Sequence, residues 1–162
     1  RLVVSMEPGL PRIRADRDRL RQVIINLLGN AVKFTPDGGV IEVAAAPWTG
    51  PRRFAVDEGR FGPPDERFLR IEVRDSGLGI PKDKIERIFE SFYQINREKY
   101  EDQGAGSGLA IVNGVIRLHK GSVAIESAAG RGSTFTLRMP VAREEELTKP
   151  RGNNNIPARR GL

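Results

Sequence analysis

No cysteine occurs in the 162-residue chain, which excludes a disulfide framework, a thiolate metal site and a cysteine nucleophile together. One histidine, His119, is too few for a multi-histidine metal centre. No apolar run approaches the roughly 18 residues that a helical membrane span needs. Lys and Arg outnumber Asp and Glu, 27 to 21, for a formal charge of +6. These basic residues are scattered, however, and several fall in stretches read below as loop and tail. With no helix-turn-helix and no aromatic RNA-binding strand, a nucleic-acid partner is not expected. At 38% hydrophobic and 30% charged, the composition is that of a soluble globular chain with one core and no second independent domain. No signal-peptide pattern precedes the first strand-like residues, so the chain reads as a piece of a longer polypeptide.

The clearest element begins after Asp16, a good N-cap. Leu20, Val23, Ile24, Leu27, Leu28 and Ala31 follow the spacing of an amphipathic helix that must end before Pro36. Residues 40–45 alternate as a half-buried strand, 47–67 collect prolines, glycines and charges as a long excursion, and 68–75 alternate as a second strand ending on Asp75. Residues 82–92 read as a short helix carrying Ile85, Ile88, Phe89 and Phe92, and 93–107 as a polar, glycine-containing mobile segment. A second long helix spans about 108–120 with Gly121 as its cap. Residues 122–127 and 133–139 form a hairpin. The pattern predicts an α/β two-layer sandwich, with a mixed, mostly antiparallel sheet and helices on one face. The domain is expected at 1–141, and 142–162, charged and poor in large apolar residues, as a linker or disordered tail.

Three constellations could carry chemistry. At about 100° per residue, Asn26, Asn30 and Lys33 fall within roughly 60° of one another on a flank of the first helix. A carboxamide oxygen is a neutral hard ligand suited to Mg²⁺, and an amine beside it suits phosphate; plain decoration of a helix edge is the alternative. Asp75 heads the run Asp-Ser-Gly-Leu-Gly-Ile-Pro (75–81), where Gly77 and Gly79 leave room above a carboxylate able to accept from an exocyclic amine such as that of adenine. An ordinary Asp-Ser-Gly turn would look the same. Gly104, Gly106 and Gly108 precede Leu109 at a helix start, where backbone amides could cradle phosphates. Neither Gly-Lys-Ser/Thr nor a third dinucleotide-type glycine follows, so a flexible hinge is the alternative there.

Taken in order, residues 26–36 (Asn-Leu-Leu-Gly-Asn-Ala-Val-Lys-Phe-Thr-Pro), 75–81, 89–92 (Phe-Glu-Ser-Phe), 104–109 and 130–135 (Gly-Arg-Gly-Ser-Thr-Phe) resemble the N box, first glycine box, F box, second glycine box and final glycine motif of sensor histidine kinases. The resemblance covers about 3–140. It implies the Bergerat ATP-binding fold, shared with DNA gyrase, MutL-type repair proteins and heat-shock chaperone ATPases, and ATP with Mg²⁺ as cofactors. Carried onto matching positions, it implies Asn30 as the Mg²⁺ ligand supported by Asn26, and Lys33 on phosphate. It implies Asp75 on the adenine amine over a floor shaped by Gly77 and Gly79, with Thr134 assisting Asp75 through water. Gly104, Gly106, Gly108 and Leu109 would belong to the lid. Phe89 and Phe92 would anchor the lid and meet the phosphoacceptor domain, or serve as plain core aromatics.

Hydrolysing members of that superfamily carry a glutamate one turn before the metal-binding asparagine. Here the position is Asn26, which cannot act as a general base at neutral pH. The resemblance therefore implies a protein-histidine kinase in a two-component system, transferring the γ-phosphoryl group to an imidazole on a separate helical dimerisation domain, with a response regulator downstream. His119, followed by Lys120 and Gly121, lacks the setting of such an acceptor and reads as packing. The fragment is expected to be cytoplasmic, either free or as the cytoplasmic portion of a membrane-bound sensor, without direct membrane contact and monomeric in isolation. Ser107, Gln94 and Lys120 depart from common family residues, and phosphate gripping would rest on Lys33 or Arg97. A degenerate regulatory ATP-binding module, an anti-sigma-type serine kinase and a basic nucleic-acid binder are the competing readings.

Overall fold

The computed structural model describes residues 1–49, 67–90, 93 and 106–143. Gly104, Phe92, Gln94 and Arg97 lie outside them, as does the expected tail from 144 onward. Five strands form one sheet in the order β1-β2-β3-β5-β4: β1 (Leu2–Met6), β2 (Ile41–Thr49), β3 (Arg67–Asp75), β4 (Ser122–Ser127) and β5 (Ser133–Pro140). Only β1 and β2 are parallel, because helix α1 (Arg17–Phe34) crosses between them; the other pairs are antiparallel. The mixed, mostly antiparallel sheet with helices on one face is thus as expected.

Helix α1 starts where Asp16 accepts from the N–H groups of Asp18 and Arg19, at 2.9 and 3.0 Å, and these bonds hold the exposed carboxyl below its usual range. Its stripe of Val23, Leu27 and Ala31 packs with Val112, Val115 and Ile116 of helix α2 (Gly108–Leu118) over Val73, Val123, Phe135 and Leu137 of the sheet. Along β5, buried residues alternate with partly exposed ones, so Ser133, Phe135, Leu137 and Met139 face the helices while Thr134 and Thr136 face away.

Three boundaries differ from expectation. Strand β2 runs past Pro47 to Thr49, because Trp48 pairs with Phe68 with ring centroids 5.6 Å apart. Pro47 is tolerated there since β1 stops pairing at Ala45, so among the described residues no strand on that side needs its N–H. Within the expected helix over 82–92, the described residues 82–90 instead form two 3₁₀ turns, Lys82–Lys84 and Arg87–Phe89, anchored by buried Ile88. So short a segment is held by its tertiary contacts rather than by helix propagation. Finally, α2 closes on Lys120 rather than Gly121. Lys120 takes φ +58° and donates to Arg117 O, while Gly121 donates to Ile116 O, each at 2.9 Å. The left-handed position thus carries a side chain that it disfavours. Lys120→Gly is therefore expected to raise unfolding free energy by about 1 kcal/mol in urea titration.

Candidate functional site

Asp75 ends β3 opposite Ser133 of β5 and is buried. Its Oδ1 accepts from Gly77 N–H at 2.9 Å, and Ser133 donates to the carboxylate from both its N–H and its hydroxyl. Burial pushes the carboxyl above its ordinary range, and the bonds from Gly77 and Ser133 pull it part of the way back. A buried carboxylate so held is a rigid acceptor.

The loop after Asp75 is clamped from two sides. Leu78 N–H donates to Phe34 O at 3.1 Å, which ties the loop to the end of α1 directly beyond Lys33. On the other side, Gly130 N–H reaches Leu78 O at 2.7 Å, and Ile80 N–H donates to Ser127 Oγ at 2.8 Å. Gly77 and Gly79 are required by space: a Cβ would stand 2.3 Å from Phe34 O at the first, and 1.9 Å from Ala128 O at the second, where φ is also +65°.

The N-terminal end of α2 meets the middle of α1. Asn26 Nδ2 donates to Gly108 O at 3.3 Å, joining two of the sequence constellations directly. Gly106 has φ +67°, and Leu109 packs against the core. Asn30 lies half-buried on the same flank of α1 as Asn26. Lys33 sits with its ammonium 4.6 Å from the Phe34 ring centre, and partial burial holds it below the usual lysine range. Phe89 packs against the core.

One assignment needs correction. Thr134 pairs with Arg74 and Glu126 and lines a shallow hollow of about 180 Å³ with Glu42, Glu72 and Thr136 on the sheet face away from the helices. It therefore cannot assist Asp75; Ser133, one residue earlier, does. The signal was in the sequence: Phe135 and Leu137 must point into the core, so period two puts position 133 inside and 134 outside. Ser127, which accepts from Ile80 N–H and donates to Gly132 O at 2.9 Å, was also missed. His119 does more than pack. Its Nε2 accepts from Asp16 N–H at 3.0 Å, so the ring proton sits on Nδ1, which donates to Val115 O at 2.8 Å. With both nitrogens engaged, this imidazole is no available nucleophile.

Residues 15–143 match the family described as histidine kinase-, DNA gyrase B-, and HSP90-like ATPase. The adaptive-response sensory kinase SasA of Synechococcus elongatus is 36% identical over 88% of this chain and 32% of its own length. The sensor histidine kinase WalK of Bacillus subtilis is 32% identical over 83% and 20%. The chain thus spans about a third or less of these relatives. Among solved structures, full-length ShkA in complex with AMPPNP is 35% identical with a TM-score of 0.64, covering 87% of this chain and 25% of that one. The catalytic domain of histidine kinase ThkA is 26% identical with a TM-score of 0.64, covering 88% and 80%.

Proposed function

Because the chain belongs to the histidine kinase-, DNA gyrase B- and HSP90-like ATPase family, we propose that it is the Mg²⁺-ATP-binding catalytic domain of a sensor histidine kinase. The observation that carries this reading is Asp75, a buried carboxylate held by Gly77 and Ser133 beside the end of the asparagine-bearing helix. Such a group accepts from the adenine amine and from nothing at the corresponding position of guanine. Gly77 and Gly79 keep the space around it free of side chains.

The flank of α1 suits the triphosphate. Asn30 offers Mg²⁺ a neutral oxygen, and among the described residues no group of three or more His, Asp or Glu side chains could hold a metal by itself. An ion held by Asn30 would complete its shell with phosphate oxygens and water, the habit of Mg²⁺ in phosphoryl-transfer sites. Bound there, it would neutralise charge developing on the phosphates. Lys33 adds a second positive charge. Asn26, bonded to Gly108 O, links the metal-bearing helix to the segment of Gly106 and Leu109 that borders the phosphates.

The position one turn before Asn30, where a base for hydrolysis would stand, is Asn26, whose carboxamide cannot take up a proton at neutral pH. His119 has both nitrogens committed. The γ-phosphoryl group accordingly goes to a histidine on a separate helical dimerisation domain, and from there to a response regulator. Among the described residues no helix is long and apolar enough to cross a membrane, and the setting proposed for the domain is cytoplasmic.

Phosphotransfer from labelled ATP to a separately supplied phosphoacceptor domain tests this reading. Wild type should label the acceptor, and Asn30→Ala should lower the rate at least about a hundredfold through loss of metal positioning. Nucleotide binding without any transfer would leave a regulatory scaffold. The corrected floor gives a finer expectation. Ser133→Ala should weaken ATP binding roughly 5- to 20-fold by removing one charge-assisted bond to Asp75, whereas Thr134→Ala should change it less than about twofold. Calorimetric titration of the two variants separates them.

A further inference from the structure

We infer that Ser127 is a positioning residue for purine recognition: through the hydroxyl of Ser133 it fixes Asp75 as an acceptor, and so sets how strongly the site prefers a purine that carries an exocyclic amine. The inference rests on the nucleotide reading proposed above and names a residue that governs its selectivity. Strand register brings the three side chains into one row. Ser127 ends β4 directly opposite Ser133, the first residue of β5, and Ser133 stands opposite Asp75, the last of β3. The next row inward on the same face is Ile125, Phe135 and Val73, which pack in the core. A polar row thus closes an apolar face at the end of the sheet where the loop after Asp75 begins.

Counting protons gives the row a direction. The Ser133 hydroxyl has one proton and donates it to the Asp75 carboxylate. Ser127 Oγ lies 3.0 Å from Ser133 Oγ, and with that proton committed the contact holds only with Ser127 as donor. Ser127 in turn accepts from Ile80 N–H at 2.8 Å, and shares its own proton with Gly132 O at 2.9 Å. The chain therefore runs from the Ile80 amide through two hydroxyls to the carboxylate, with every donor pointing the same way. Hydrogen bonds aligned like this polarise one another, by roughly 10–30% per bond. Each link favours the ionised carboxylate, the form that can only accept.

The charged groups on the surrounding elements are turned elsewhere. Glu42, Arg74 and Glu126 occupy alternate positions of the same sheet and line the hollow on its opposite face. Lys33 lies over the Phe34 ring, and Asp37 and Arg131 are exposed in turns. Burial and the bonds from Gly77 and Ser133 act on the Asp75 carboxyl, so neutral donors set its balance and Ser127 reaches it through one of them. Ser127 also ties down Ile80, as a purely structural residue would. The two roles differ in consequence. A lost clamp loosens the loop for every purine alike, whereas a lost donor to Ser133 acts on the amine and on the proton of Asp75.

The test compares the chain with its Ser127→Ala and Ser127→Thr variants by calorimetric titration with Mg²⁺-ATP and with Mg²⁺-purine riboside triphosphate, which lacks the amine. Ser127→Ala is expected to lower the preference for ATP about threefold or more. It should also raise the pH midpoint of the Asp75 carboxyl, followed by carbon NMR in the nucleotide-free chain, by about 0.5 or more. Ser127→Thr keeps the hydroxyl and should return both to wild type. In the Asp75→Asn background, Ser127→Ala should leave the preference within about twofold. Should Ser127→Ala not fold, Ser127→Cys, a weak donor of similar size, is read in the same way. Equal weakening of both nucleotides with the midpoint unmoved would reduce Ser127 to a clamp and overturn the proposal. So would a Ser127→Thr variant, natively folded by its amide spectrum, that behaves like alanine. A wild type that binds ATP no better than the analogue would overturn the adenine reading itself, which the nucleotide-free midpoint keeps separate from the chain of hydroxyls.

Discussion

Asp75→Asn is expected to weaken binding of an Mg²⁺-ATP analogue roughly 10- to 150-fold, the worth of about 1.5–3 kcal/mol for a hydrogen bond to a charged group. The asparagine has nearly the same volume, so the core around it is preserved. What changes is donor and acceptor balance. Asp75 is surrounded by donors from Gly77 and Ser133, and the new NH₂ must face one of them or the adenine amine, so a donor is opposed by a donor. The same residue sets a pH dependence. Its folded carboxyl titrates above its ordinary range, so the native state binds the proton more tightly than the unfolded chain. Protonation therefore favours the fold, and ionisation withdraws that increment as pH rises through the raised value. Nucleotide affinity has the opposite sense and falls as acidification removes the carboxylate. In Asp75→Asn both dependences should flatten. Calorimetry across pH measures the first effect and urea unfolding the second; an Asp75→Asn affinity equal to wild type would remove Asp75 from adenine recognition.

Gly79→Ala should cost about 3 kcal/mol or more of stability, enough to lower the melting temperature by about 6–12 °C in a chain of this size. Two effects add. The left-handed backbone at φ +65° disfavours any side chain, and the new methyl would stand 1.9 Å from Ala128 O. The obstacle is backbone in a hairpin held by Ser127 and by the bond from Gly130 to Leu78, so no flexible side chain can swing aside. Relief requires the loop to leave the hairpin. The loss should therefore appear in nucleotide affinity as well as in melting temperature, and a fully stable Gly79→Ala variant would contradict the clamped loop.

Much of this architecture was legible in the sequence where one physical rule acted alone. The spacing from Leu20 to Ala31, bounded by Asp16 and Pro36, defines α1 because capping, periodicity and a terminating proline agree. The hairpin of β4 and β5 follows from two alternating runs around a glycine turn. Where two rules competed, the local one lost. Pro47 reads as a breaker, yet cross-strand packing of Trp48 on Phe68 extends β2 past it. Ile85, Ile88 and Phe89 have helical spacing, yet i to i+3 bonds form where so few residues cannot propagate an α-helix. Lys120 takes the left-handed position that glycine would fill with less strain, because Gly121 is used to approach Arg138 O.

The candidate site divides in the same way. Asp75, Gly77 and Gly79 were readable because a strand must deliver its last residue to one face and a tight loop needs glycine. Contacts between elements distant in sequence were not readable: nothing in residues 26 or 108 announces that an asparagine amide meets that carbonyl, or that His119 bridges Asp16 and Val115. Ser133 was within reach, since strand alternation alone distinguishes it from Thr134.

Adenine selectivity is measured most directly by titrating the wild-type chain with ATP and with GTP at saturating Mg²⁺ in one calorimeter. With the purine seated on Asp75 as proposed, the adenine amine would donate to it, whereas guanine would turn a carbonyl oxygen toward the same buried carboxylate, so ATP should bind at least about a hundredfold more tightly. Equal affinity for the two nucleotides, or no binding of ATP, would contradict a purine seated on Asp75.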